Sequence, residues 1–122
     1  MQLKTLALIA GLLAAPAALA HAPKVGLHGG PQVDAGLYHL ELVAKETSLE
    51  AFLVGHDGKA VPTEGYKGMA ILLFDGKPQR IALTPAGDNR LAGTAPSPLS
   101  GAIKGTVQIT LPNGGTVQGK FH

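Results

Sequence analysis

The chain has 122 residues, the size of one domain, with ten Lys and Arg against eight Asp and Glu, and no cysteine. Disulfides, thiolate metal sites and thiol redox exchange are therefore excluded. The charges are scattered without a basic run or stripe, which leaves no basis for nucleic-acid binding or for a polybasic membrane patch.

Residues 1–20 have the three-part layout of a cleavable signal peptide. Lys4 supplies the charge, Leu6 to Ala15 is an apolar run, Pro16 ends it, and Ala18-Leu19-Ala20 is a small-x-small cleavage site. The run is too short to span a bilayer, which needs about 20 apolar residues. Cleavage after Ala20 makes His21 the first mature residue and implies a periplasmic protein with no membrane span after cleavage. Losing Lys4 leaves nine basic against eight acidic residues, so the mature chain is close to neutral.

Residues 21–31, HAPKVGLHGGP, hold two of their prolines and three glycines in eleven positions and read as a flexible arm ending in a turn. Residues 32–122 read as one β domain. Gln32-Val33-Asp34 is a short edge strand and Ala35-Gly36 a turn. From Leu37 to Ala44 the pattern alternates, with Tyr38, Leu40, Leu42 and Ala44 on one face and His39, Glu41 and Val43 on the other. Lys45-Glu46-Thr47 is a polar turn. Leu49 to Val54 is the next strand, with Leu49, Ala51 and Leu53 opposite Glu50, Phe52 and Val54. His56-Asp57-Gly58-Lys59 is a turn whose Asp-Gly pair suits a positive φ, and Ala60-Val61 is extended before Pro62. Gly68 to Asp75, GMAILLFD, is an apolar run that fits a strand buried on both faces. Gln79 to Thr84 points Ile81 and Leu83 one way. Arg90 to Ala95 is a short strand around Leu91. Ile103 to Leu111 and Thr116 to Phe121 form a hairpin across Asn113-Gly114-Gly115.

Seven to eight short antiparallel strands at regular spacing, with no 3.6-residue period between them, predict an all-β fold. The expected architecture is an immunoglobulin-like β-sandwich, without the paired Cys and core Trp of antibody domains. No internal repeat or second domain is present in the pattern.

Little in the chain suggests an enzyme. There is no Gly-x-Ser-x-Gly elbow or phosphate loop, and no carboxylate pair is marked out for acid–base work. The five histidines are the chemically pointed feature, because neutral imidazole is a common ligand for copper, zinc and nickel. His21 would offer a terminal amine beside its own ring. His28 precedes Gly29-Gly30, which lets backbone and ring approach an ion closely. His39 shares a strand face with Glu41, at i and i+2, so the two can reach one ion or pair with each other. His56 sits in the Asp-Gly turn. His122 ends the sequence and reads as a frayed terminal residue. The expectation is a non-enzymatic periplasmic domain that binds or buffers copper or zinc through His28, His39, His56 and His21. From a different class, the alternative is an envelope interaction module that docks through a sheet edge without metal, using polar faces such as Thr106, Gln108 and Thr110.

Several short motifs occur in order: His28-Gly29-Gly30, Tyr38-His39-Leu40-Glu41-Leu42-Val43, His56-Asp57-Gly58-Lys59 with Val61-Pro62, Leu83-Thr84-Pro85-Ala86-Gly87, and Asn89-Arg90-Leu91-Ala92-Gly93. Through them the chain resembles a group of small exported proteobacterial proteins. It is also similar to the N-terminal β-domain of periplasmic adaptor subunits of heavy-metal efflux systems. The resemblance implies an immunoglobulin-like sandwich, a link to metal handling, a metal-efflux or other envelope protein as partner, and His28, His39 and His56 as metal contacts. The chain departs from the group at Leu27, where methionine is frequent before His-Gly-Gly, and at Gly55, where aspartate is frequent before the turn histidine.

Overall fold

The computed structural model describes residues 24–122. The expected signal peptide and His21 lie outside the described residues. Eight strands follow in chain order: β1 (Gln32–Ala35), β2 (Tyr38–Lys45), β3 (Ser48–Gly55), β4 (Lys67–Phe74), β5 (Lys77–Pro85), β6 (Arg90–Thr94), β7 (Gly105–Thr110) and β8 (Thr116–Phe121). The turns follow the local chemistry. Gly36, Glu46 and the Asp75-Gly76 pair all take positive φ between antiparallel neighbours, the last two making a type I′ hairpin turn.

The strands form one sheet in the order β1-β2-β3-β6-β5-β4-β7-β8, closed by β8 meeting β1. Two connections each bypass two strands. Residues 56–66 run from β3 to β4 over one end of the barrel, and residues 95–104 run from β6 to β7 over the other. The result is a Greek-key barrel with β4, β5 and β6 as a meander at its centre.

The all-β expectation holds, but the sandwich does not: the structure has one closed wall instead of two facing sheets. Strand number and alternation are the same in both architectures, so the sequence pattern could not separate them. The difference lies in strand crossing. At Gly93 on β6 a Cβ would overlap the Ala82 carbonyl oxygen of β5, so a glycine lets the sheet bend sharply between these strands. With eight strands, the interior is just wide enough for side chains to fill. Leu40, Leu42, Leu49, Leu53, Leu72, Ile81, Leu83, Leu91, Val107, Ile109 and Phe121 pack there, all buried.

The β4 expectation also changes. Ala70, Leu72 and Phe74 point inward and are buried, whereas Ile71 and Leu73 are exposed on the outside. A closed barrel buries only one face of each strand, and among the described residues no second layer covers the outer face of β4.

Unlike the expected flexible arm, residues 24–31 are tied down. Lys24 C=O accepts from Gln32 N–H, Gly26 N–H donates to Gly30 C=O, and Leu42 N–H donates to Pro31 C=O. The arm forms a small hairpin against the outer wall. Gly30 permits this approach, since a Cβ there would overlap the Leu42 carbonyl oxygen.

Candidate metal-binding surface

Two histidine clusters lie on the outer wall where β1, β2 and β3 run side by side. The first forms around His39. The two-residue β1–β2 turn pairs Ala35 with Tyr38 and therefore Asp34 with His39. Both side chains point outward, and His39 Nδ1 stands 2.8 Å from Asp34 Oδ1. A carboxylate accepts only from an N–H, so this contact places a proton on Nδ1 and leaves Nε2 of a neutral ring as the free lone pair. On the other side, β3 ends at Gly55 opposite Tyr38, and the following turn brings His56 back toward His39. That turn is fixed by Gly55 N–H to Lys59 C=O, Gly58 N–H to Gly55 C=O, and Lys59 N–H to Asp57 Oδ1. The two imidazoles meet edge to face, with centroids 5.3 Å apart and planes at 87°. His39 is 15% exposed in its side chain, and His56 is exposed.

The second cluster holds the arm. Glu41 points outward from β2 yet is only 2% exposed, because the arm covers it. Its Oε2 accepts from the backbone N–H groups of His28 (2.9 Å) and Gly30 (2.8 Å), and its Oε1 lies 3.0 Å from His28 Nδ1. The His28 ring stacks on Phe52, the cross-strand partner of Glu41, with centroids 3.7 Å apart and planes at 12°. A buried carboxylate is held by hydrogen bonds where it would otherwise be costly. Beside Phe52 on β6, Arg90 forms an ion pair with Glu50 and donates to the Ala86 carbonyl.

The structure thus brings together two of the four predicted ligands. His39 and His56 are neighbours. His28 is committed to Glu41 and Phe52, a cross-strand pair farther along the wall. The expected pairing of His39 with Glu41 does not form: Glu41 serves the arm and Asp34 takes its place. His122 is exposed after β8. Among the described residues, no three His, Asp or Glu side chains converge on one point suited to an ion. Asp34 was missed as a site residue because the expected Ala35-Gly36 turn sets it opposite Leu37, whereas the observed Gly36-Leu37 turn sets it opposite His39. The roles of Glu41 and Phe52 had no signal, since they depend on where the arm folds.

In comparisons with protein-family models, curated proteins and solved structures, no match to this chain was found. No helix among the described residues is long and apolar enough to cross a membrane. Fold and surface together describe an all-β Greek-key barrel whose outer wall carries two neighbouring imidazoles, that of His39 held by the Asp34 carboxylate.

Proposed function

We propose that this is a non-enzymatic domain of the periplasm that binds Cu(II) or Zn(II) through His39 and His56, in connection with heavy-metal efflux. The spacing of the two rings carries the reading. An ion about 2.0–2.1 Å from an imidazole nitrogen sits roughly 3.2 Å from the ring centroid, so two rings on one tetrahedral ion lie about 5.2 Å apart. The observed separation is 5.3 Å. Asp34 supplies the outer partner that fixes the tautomer and orientation of a metal-bound histidine. The remaining coordination positions face solvent and fall to water or to a group of the acceptor, which suits handing metal on.

Titration of the purified protein with Cu(II) and Zn(II) tests this. His39→Ala and His56→Ala should each abolish saturable binding, Asp34→Asn should weaken it about 10- to 100-fold, and His28→Ala should leave it intact. Absence of binding tighter than about 10 μM, or binding indifferent to His39 and His56, overturns the assignment.

A second reading, an interaction module without metal, is favoured by the outer face of β4. Ile71 and Leu73 are 39% and 47% exposed there, with Thr106 and Gln108 of β7 alongside. Its test is whether Ile71→Lys with Leu73→Lys abolishes capture of an envelope protein while metal binding is retained.

A further inference from the structure

Among the described residues, an ion at His39 and His56 finds two ligands and no third. Zinc held by protein alone takes four ligands at the corners of a tetrahedron, so two corners remain open. Asp34 is engaged in orienting His39, through the ring nitrogen turned away from the ion. Both rings stand on the outside of the barrel, His39 on the outer face of β2 and His56 exposed in the turn beyond β3. The surface around them carries little net charge. Asp57 and Lys59 in the turn are of opposite sign, which leaves Asp34, with a side chain 67% exposed, as the charge beside the pair. Leu37 lies at the same end of the wall. Leu37 and His56 are the next residues out from the Tyr38–Gly55 pair, and Leu37 is 73% exposed. A single exposed leucine is ordinary; the bearing of this one lies in its position at the rim of an incomplete site.

We propose that a second copy of this chain fills the two open corners, so that one Zn(II) is held between two chains by His39 and His56 of each; this rests on the zinc reading given above. A tetrahedron has two-fold axes that exchange one pair of corners for the other. Two identical two-ligand sites therefore complete each other, as the patches of an isologous dimer do. Charge favours two copies. Four neutral imidazoles leave the ion doubly positive, and the Asp34 carboxylates, one from each copy, balance it as the site leaves water. A single copy balances only half. With ten basic against eight acidic residues, the chains repel each other little on approach. Leu37 of each copy then loses water at the rim of the contact. An acceptor protein that draws the ion away takes over the same two corners and separates the copies.

Analytical ultracentrifugation of the purified protein during a Zn(II) titration tests this. The protein without zinc should sediment as a monomer. Zinc should double the sedimenting mass, with an endpoint near about one ion per two chains, and chelation should restore the monomer. A large excess of Zn(II) should also split the dimer, because each chain then takes its own ion. His39→Ala and His56→Ala should each abolish binding and dimer together. Leu37→Arg, at an exposed turn position, sets like charges against each other at the rim and leaves every ligand in place. It should bind zinc as a monomer and move the endpoint to about one ion per chain. Saturable binding by the parent that ends at one ion per chain, with the mass unchanged, overturns the shared site and leaves the metal reading standing. A Leu37→Arg protein that dimerises as readily as the parent also overturns it. So does a dimer that forms without zinc or survives in the histidine variants, which places association on another surface, such as the β6 side of β5 from Lys77 to Leu83. Absence of any zinc binding overturns both readings.

Discussion

At the residue scale, Glu41 shows how one outward-facing side chain can organise structure that alternation assigns to solvent. Three hydrogen bonds converge on its carboxylate. In Glu41→Ala, the backbone N–H groups of His28 and Gly30 lose their shared acceptor. Unsatisfied buried partners of this kind cost about 1–3 kcal/mol, so the urea midpoint should fall and amide exchange at His28 and Gly30 should quicken. Asp34→Asn, on an exposed carboxylate, should leave both unchanged. The tyrosine pair at the barrel end makes a second prediction. The Tyr38 and Tyr66 hydroxyls lie 3.2 Å apart, and this hydrogen bond, with burial and the neighbouring charge on ionised Tyr38, pushes Tyr66 up from 10.0 to about 12. The folded state therefore keeps a proton that the unfolded chain loses first. Its contribution to stability is complete below pH 10 and declines as pH rises to about 12. Tyr38→Phe should bring the Tyr66 titration, followed by tyrosinate absorbance, back toward its ordinary value.

At the element scale, the strands were legible because period-two alternation and turn residues agree along the chain. Expected and observed strands coincide closely from Gln32 to Phe121. What escaped was which strands meet. Alternation reports that a strand has an inner face and says nothing of whether that face looks at a second sheet or at its own barrel. GMAILLFD misled for the same reason, since an apolar side chain is tolerated on an outer wall. The histidines were legible as residue types, but their grouping followed from register, which paired His39 with Asp34 and separated both from His28. Closure makes its own prediction. Gly93→Ala forces a methyl onto the Ala82 carbonyl and should cost about 1–3 kcal/mol in urea unfolding. Ile71→Thr, on the outer face of β4, should stay within about 0.5 kcal/mol of the parent.

At the scale of the whole molecule, stability rests on one apolar interior encircled by a single sheet, so ligand binding on the wall should be felt by the entire fold. If His39 and His56 hold a metal in the folded state alone, Zn(II) at about 100 times its Kd should add roughly 2.7 kcal/mol to unfolding free energy. Thermal unfolding should show that gain in the parent and in His28→Ala, and lose it in His39→Ala. The meeting of Ala35 with Gly119 has a different consequence, one of timing. Synthesis delivers the earliest described strand first and its wall neighbour last. Until Thr116 to Phe121 have emerged, β1 has only one partner, and Leu40 and Leu42 face an open gutter instead of a filled interior. Non-local pairing of this kind is slow and leaves apolar surface exposed while it waits. The hazard for a nascent chain is thus concentrated before its final strand, and truncation just ahead of Thr116 should yield an aggregating species instead of a loosened barrel.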